Sequence, residues 1–269
     1  MNVTRLCDQT WSALLDERDG KPSQWPAFAD VAAGELYRPL ARRTGRPMVI
    51  AQVGQSLDGR VATLNGDARD LSGRDGFNHL HRIRALVDAV VVGVGCVLAD
   101  DPRLTVRNVS GPNPVRVAID PNGRIPLGLK LLNDQSRTII VQADDIAPRH
   151  DVETITLSRN AAGLLEPADI LASLVARDLT SILIEGGATT IEHFLCHGLL
   201  DRLHVCISPI IVGSGLPGLS LPPIKALSQA LRPRVTTYNL GSDILFDCDF
   251  RAGATPGLNA VAASGVAAE

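Results

Sequence analysis

Short apolar runs alternate with stretches of helical periodicity through most of this chain. The runs predict strands at 48–53, 89–94, 115–119, 138–141, 154–157, 182–184 and 202–212. Helices are predicted over 75–87, 167–176 and 189–197, where apolar residues recur at helical spacing or proline opens the first turn. Strands that alternate with helices indicate an α/β fold with a mainly parallel central sheet flanked by helices.

The last two runs alternate polar with apolar residues. They cover 235–240 and 243–250 on either side of Gly241-Ser242, and they predict an antiparallel hairpin at the C-terminal edge of the sheet. Near the other end, Asp58-Gly59 predicts a turn after the first strand, with a short return run at 60–63.

Both ends of the chain differ from this alternating middle. Residues 1–46 hold both tryptophans, show weak periodicity, and predict an N-terminal extension that packs on the main domain or on a partner. Residues 47–250 form the predicted main domain. Residues 251–269 are rich in alanine and glycine with almost no charge, so they cannot build a core and a disordered tail is expected.

Composition excludes several classes of protein. The 269 residues have a net charge of −3 and no basic block, so no nucleic-acid partner is expected. No apolar run reaches the ~18 residues of a membrane span, and the N-terminus lacks the apolar core of a signal peptide. We therefore expect a cytoplasmic protein with no membrane partner. Five scattered cysteines without a C-x-x-C motif predict free thiols.

A metal site is not predicted. His193 and His197 lie four residues apart on a predicted helix, with Cys196 between them, and this spacing can bind a metal. No nearby carboxylate or glycine pattern supports a catalytic metal.

The strongest chemical signal lies at 181–188, where a buried strand breaks at Glu185, Gly186 and Gly187 and then enters a helix. A helix N-terminus of this kind leaves backbone N–H groups for a phosphate, which the helix dipole also favours. Glu185 ends a parallel strand, where ligands bind in α/β sheets; a capping role is the alternative. The pattern predicts a small-molecule enzyme that holds phosphorylated ligands.

Charged residues surround a second turn-rich segment. Asp100-Asp101-Pro102 is either an Asp-Pro turn closed by side-chain hydrogen bonds or part of a site. Arg84 and Arg107 flank it. They are either surface cations or ligands of a sugar phosphate, because a guanidinium group binds oxyanions through two hydrogen bonds.

Two glycine-rich segments have more than one interpretation. Gly93-Val94-Gly95 predicts a tight strand-to-loop turn or a close approach of the backbone to a flat ligand. The run 213–218 matches G-x-G-x-x-G, but Pro217 prevents the helix that a dinucleotide fingerprint requires. A glycine-rich loop that crosses the top of the sheet is therefore predicted there.

Five segments, taken in order, resemble the riboflavin-biosynthesis reductases. They are 53–63, 84–93, 99–107, 114–120 and 183–188. The resemblance implies a dihydrofolate-reductase-like fold and a homodimer. It also implies NADPH-dependent reduction of a phosphorylated pyrimidine, a ribosylaminopyrimidine 5′-phosphate, to its ribitylamino product, with the hydride delivered to C1′ of the ribose.

Site residues follow from the resemblance by motif position. It implies substrate contacts for Arg84, Leu104 and Arg107, and it makes Asp100 and Glu185 the catalytic candidates. Asp100 is the candidate for the proton of ring opening or of the imine, because a carboxylate can exchange protons with a sugar hydroxyl. The implied NADPH site is lined by Gly54, Gly93, Gly187, Ala188 and Thr189.

Three positions depart from the bacterial pattern of this family. Gln52 replaces a lysine, Asp70-Leu71-Ser72 replaces Trp-Ile-Thr, and Cys96 replaces a threonine. The run 62–65 with Asp88 resembles the stand-alone archaeal reductases more closely. The expected substrate is the pyrimidine before or after deamination. The alternatives are a reductase of another heterocycle, such as dihydrofolate or a dihydropterin, and a non-catalytic nucleotide-binding module.

Overall fold

Strands and helices alternate around one nine-stranded sheet. The computed structural model describes residues 3–26, 30–133 and 136–251, so the predicted tail lies, apart from Arg251, outside the described residues. The strands are β1 (Met48–Ser56), β2 (Arg60–Thr63), β3 (Ala89–Gly93), β4 (Val115–Ile119), β5 (Thr138–Ala143), β6 (Glu153–Leu157), β7 (Ser181–Glu185), β8 (Arg202–Ser208), β9 (Gly215–Pro217), β10 (Arg234–Asn239) and β11 (Ile244–Asp249).

Six α-helices accompany these strands in the described part of the chain. They are α1 (Asp8–Arg18), α2 (Val31–Ala41), α3 (Arg74–Leu86), α4 (Val94–Asp100), α5 (Pro167–Val175) and α6 (Ala188–Cys196), with short 3₁₀ turns at Lys130–Leu132 and Leu227–Gln229. None of the helices that the structure describes is long and apolar enough to cross a bilayer.

The strand order is β10-β11-β8-β1-β7-β3-β4-β5-β6. Every pair from β8 to β6 is parallel, whereas β11 runs antiparallel to β8 and β10 antiparallel to β11. The predicted α/β class and its antiparallel edge hairpin are confirmed. β2 and β9 pair separately as a two-stranded antiparallel arm.

Side chains of successive strand residues enter two cores, one on each face of the sheet. On β1, Ile50 joins the core under α1, α2 and α3, whereas Val49 and Ala51 join the core under α5 and α6. This coverage of both faces explains why the central strand β3 is continuously apolar. The helices cover the two faces of the sheet but not the carboxyl ends of its parallel strands, which remain accessible.

Three local predictions were wrong. The segment after β3 is not a loop but the short helix α4, in which Val94 and Val97 are buried one turn apart. Seven residues that include one glycine and two β-branched valines carry too little periodicity to reveal a helix. β8 ends at Ser208 rather than at residue 212. The glycine-rich run forms β9, where a Cβ on Gly215 would lie 2.3 Å from the Ala62 carbonyl oxygen, so glycine permits the close pairing with β2.

The N-terminal helices pack on the sheet domain through α3. Trp11 of α1 is 7% exposed, and its indole Nε1 donates to the Ser110 carbonyl oxygen at 2.9 Å. Tyr37 of α2 is buried, and its hydroxyl lies 2.8 Å from Nδ1 of His79 on α3. Burial raises the pKa of Tyr37 to about 12, so the phenol stays protonated. Residues of the extension thus form part of the core.

A chain of buried polar groups continues from Tyr37 across the sheet. His79 Nε2 lies 3.1 Å from His204 Nδ1 on β8, and His204 Nε2 lies 3.3 Å from Asp247 Oδ1 on β11, too poorly aligned for a full hydrogen bond. Arg202 pairs with the same carboxylate. Burial, reinforced for His79 by repulsion from His204, lowers the pKa of both imidazoles. Both rings are therefore neutral, and Asp247 and Arg202 carry the charges.

This arrangement predicts that the protein loses stability as the pH falls below about 6.5. The unfolded chain takes up protons on its histidines there, whereas the folded chain keeps His79 neutral, so unfolding is favoured by about 1.4 kcal/mol per buried histidine one pH unit below the unfolded pKa. Urea unfolding at about pH 7.5 and 5.5 measures this difference. His79→Gln should reduce it by one histidine's share, whereas His150→Gln, at an exposed histidine, should leave it unchanged. Equal pH dependence in all three proteins would refute the account.

Candidate active site

A buried ion pair lies where α3 meets the carboxyl end of β7. Arg84 Nε donates to Glu185 Oε2 at 2.8 Å, and its Nη2 donates to Oε1 of the same carboxylate. The Arg84 side chain is 7% exposed and the Glu185 side chain 16%. Arg84 Nη1 donates to the Thr105 carbonyl oxygen at 3.1 Å. All three guanidinium nitrogens are therefore used by the protein, and Glu185 is held by two parallel hydrogen bonds rather than serving as a helix cap.

The loop after α4 bends at Leu104, and this bend brings the Thr105 carbonyl oxygen to Arg84. Leu104 has φ of 54°, in the left-handed region that a branched side chain rarely adopts, and its side chain is 2% exposed in the core under α3. Such a conformation persists only where the surroundings stabilise it, and it is common at functional sites. Because the Leu104 side chain is in the core, only its backbone remains available to a ligand.

Arg107 follows in the same loop and remains exposed. Its Nη1 donates to the hydroxyl of Thr105 at 2.9 Å and to the carbonyl of Thr105 at 3.3 Å. Partial burial and, to a smaller extent, repulsion from Arg84 and Arg103 lower the pKa of Arg107. The guanidinium remains charged and lies close to two like charges, an arrangement that an anion would stabilise.

His81, which the sequence analysis missed, anchors this loop. Its Nδ1 accepts hydrogen bonds from the backbone N–H groups of Arg107 at 2.9 Å and of Asn108 at 3.4 Å. Burial and, to a smaller extent, repulsion from Arg84 and Arg107 lower the pKa of His81 to about 4. The ring is therefore neutral with its proton on Nε2. Its position three residues before Arg84, on the same face of α3, was the available signal.

The structure separates the two aspartates at the end of α4. Asp101 has left-handed φ of 42°, its Oδ1 accepts from the Lys130 N–H at 2.7 Å, and its Oδ2 pairs with Lys130 Nζ at 3.1 Å. Of the two alternatives for this segment, Asp101 therefore fits the turn closed by side-chain hydrogen bonds. Asp100, the last residue of α4, is exposed, and its carboxylate makes no hydrogen bond or ion pair within the described ranges.

A cleft of about 510 Å³ opens beside the first residues of α4, at the carboxyl ends of β3 and β4. Three of the five predicted cofactor residues line it, namely Gly93, Gly187 and Thr189. A Cβ on Gly93 would lie 2.5 Å from Thr190 Oγ1, so Gly93 has no room for a side chain and Thr190 packs closely on its backbone. Nineteen of the described residues line the cleft, and none of these is aspartate or glutamate.

The N-terminus of α6 forms one end of the cleft. The Gly187 N–H donates to Cys96 Sγ at 2.8 Å, while the N–H groups of Ala188 and Thr189 donate to no group in the part of the chain that the structure describes. Burial raises the pKa of the Cys96 thiol, which keeps it protonated. Gly54 lies elsewhere, on β1 beyond β7, where a Cβ would lie 2.6 Å from Ser72 Oγ.

The residues of the cleft fit a nicotinamide dinucleotide. Glycines in the lining let a flat ligand approach the backbone, the unpaired N–H groups at α6 suit a phosphate, and the described lining carries arginine and histidine without carboxylates. The volume falls within the range typical of small-molecule sites.

Comparison with known proteins identifies the family. The family model described as the RibD C-terminal domain matches residues 47–246, so the chain belongs to that family. The resemblance read from the five sequence segments is confirmed.

Two curated relatives illustrate the similarity. The chain is 34% identical over 212 residues to the 2,5-diamino-6-ribosylamino-4(3H)-pyrimidinone 5′-phosphate reductase of Methanothermobacter thermautotrophicus, covering 75% of this chain and 97% of the relative. It is 33% identical over 207 residues to the riboflavin biosynthesis protein RibD of Aquifex aeolicus, covering 74% of this chain and 57% of the relative. The chain therefore spans little more than half the length of that RibD protein.

Solved structures of this family share the fold. The deaminase/5-amino-6-(5-phosphoribosylamino)uracil reductase of Thermotoga maritima superposes with a TM-score of 0.63 at 28% identity, covering 82% of this chain and 62% of that one. RibD of Acinetobacter baumannii gives 0.68 at 26% identity, covering 82% and 63%. The expected reductase fold is confirmed.

The role of His81 predicts a local effect of its replacement. In His81→Ala the amides of Arg107 and Asn108 lose their acceptor, so their hydrogen exchange should accelerate about tenfold, the equivalent of one hydrogen bond. Asn places an oxygen near the position of Nδ1, and His81→Asn should restore most of the protection. Hydrogen-exchange mass spectrometry of peptides covering 103–109 measures both variants. Unchanged exchange in His81→Ala would contradict the anchoring role.

Proposed function

We propose that this protein is an NADPH-dependent reductase that converts a ribosylaminopyrimidine 5′-phosphate to its ribitylamino product in riboflavin biosynthesis. The family match over residues 47–246 carries the proposal, and a relative that the chain covers over 97% of its length has the name of such a reductase. The site supports the same reaction class, because the cluster of Arg84, Glu185 and Arg107 and the glycine-containing cleft both lie near α4.

Arg107 is proposed to bind the substrate phosphate. It is an exposed cation whose guanidinium is directed toward Thr105 and Arg84, and repulsion from Arg84 and Arg103 favours an anion beside it. Arg84 is proposed to act mainly by holding Glu185 and the Thr105 carbonyl, since its nitrogens are already bonded. The sequence predicts substrate contacts for both arginines, whereas the proposal gives Arg107 the phosphate and Arg84 a positioning role.

Asp100 and Glu185 are the proposed proton-handling groups. Opening the ribose ring and forming an imine at C1′ require a proton to move on a sugar oxygen and on the attached nitrogen. Asp100 is exposed and unpaired within the described residues, so it can take up and return that proton. Glu185, fixed by Arg84, orients the substrate at the same end of the site.

The cofactor is proposed to lie in the cleft along Gly93, Gly187 and Thr189. When bound, NADPH would supply the hydride. The chain then contributes binding, orientation and exclusion of water. The first turn of α6 offers the N–H groups of Ala188 and Thr189 to a phosphate, and Gly93, Gly95 and Gly187 add no side chain to the lining of the cleft.

Two further features belong to the proposal. The resemblance implies a homodimer, and Ile211 and Leu227, exposed by 74% and 76%, supply apolar surface that a second copy could cover. A cytoplasmic location agrees with the five free cysteines, because such compartments keep thiols reduced.

Absorbance of NADPH during turnover tests the reaction. The purified protein should oxidise NADPH with the ribosylaminopyrimidine 5′-phosphate in its deaminated or non-deaminated form, and it should leave dihydrofolate unreduced. The form with the higher kcat/KM identifies the branch of the pathway. Turnover of dihydrofolate alone, or of none of these compounds, would refute the proposal.

The phosphate role of Arg107 predicts a selective loss. Arg107→Ala should cost about 1.5–3 kcal/mol of substrate binding, the range for hydrogen bonds to charged groups, which is roughly ten- to a hundredfold in kcat/KM. The matched control is Arg103→Ala, which removes an exposed charge from the same loop and should change kcat/KM far less. Equal losses in both variants would indicate a general charge effect and contradict the assignment.

A further inference from the structure

Two arginines lie at the end of the cleft away from Glu185. Arg124 follows β4 and Arg159 follows β6, and both line the cleft together with Asn122. The first turn of α6, at the end of β7, contributes Thr189 to the same cleft. Because β3 lies between β7 and β4 in the sheet, the end of β7 and the end of β4 are two strand spacings apart, a distance of about 10 Å.

Arg159 is fully occupied by the protein. Its Nε donates to both oxygens of Asp145 at 3.1 and 3.0 Å, and its Nη1 donates to the Gly163 carbonyl oxygen at 2.9 Å. Its Nη2 donates to the Pro121 carbonyl oxygen at 3.0 Å and to Asn122 Oδ1 at 2.8 Å. Arg159 therefore joins two loops into one wall of the cleft, and Asp145 neutralises its charge.

Arg124 is different. It is exposed, and its guanidinium makes no hydrogen bond or ion pair with any residue that the structure describes. Its backbone is nonetheless held on both sides, since Gly123 forms a tight turn with φ of 64° and the Ile125 N–H donates to Asp120 Oδ2 at 2.8 Å. Asp120 is fully buried and does not line the cleft. A cation on a fixed backbone thus faces a cleft in which the described lining residues include no carboxylate.

We infer that Arg124 binds the 2′-phosphate of NADPH and makes this protein prefer NADPH to NADH. The inference rests on the proposed function, which places the substrate at the Glu185 end and a cofactor phosphate at the N-terminus of α6. With the substrate and this phosphate so placed, the adenosine half of the dinucleotide lies at the end of the cleft that contains Arg124. NADPH differs from NADH by one phosphate on that half, and a free guanidinium is the group best suited to bind a phosphate.

Direct binding of both dinucleotides, measured by fluorescence titration without substrate, tests this role. Wild-type protein should bind NADPH more tightly than NADH. Arg124→Ala should weaken NADPH binding about ten- to a hundredfold, as expected for a charge-assisted contact, while NADH binding stays within about twofold. Arg234→Ala, which removes an exposed charge from β10 at the opposite edge of the sheet, should change neither affinity.

The remaining outcomes separate this inference from the proposed function. An unchanged ratio of NADPH to NADH affinity in Arg124→Ala, or equal affinities in the wild-type protein, would overturn the role of Arg124 and leave the reductase proposal intact. Wild-type protein that binds neither dinucleotide would overturn the proposed cofactor and this inference together.

Discussion

The site depends on the buried pair of Arg84 and Glu185. It joins α3 to the end of β7 and, through the Thr105 carbonyl, to the loop after α4. Removing either partner would leave an unpaired charge in a buried position, which typically costs several kcal/mol. The pair also explains the left-handed backbone at Leu104, because that bend directs the next carbonyl toward Arg84. Arg107 follows this bend and remains available to a ligand.

A second constraint comes from the sheet. Parallel strands place Gly93, the end of β4 and the start of α6 at one edge, and the two apolar cores under the helices hold them there. The cleft is thus a product of topology, with bare backbone where glycine permits close approach. The helix α4 lines the cleft through Val94, Gly95 and Cys96 and ends at Asp100, so its position relates the proposed proton-handling carboxylate to the proposed cofactor.

Much of the fold could be predicted from the chain alone, because central strands such as Ala89–Gly93 are continuously apolar and the edge hairpin alternates. The helix α4 could not, since seven residues have too little periodicity. Within the site, sequence could bring Arg84, Arg107 and Glu185 into one region. It could not assign Arg84 to Glu185 or reveal the anchoring by His81, because these depend on contacts between residues distant in the chain.

Hydride transfer to the substrate sugar is the central claim, and an isotope tests it most directly. The purified protein would be incubated with the ribosylaminopyrimidine 5′-phosphate and NADPH deuterated at both C4 positions, and the product would be examined by mass spectrometry and NMR. The account predicts a ribitylamino product with one deuterium on C1′. Deuterium on a ring carbon, or NADPH consumption without deuterium in the product, would contradict it.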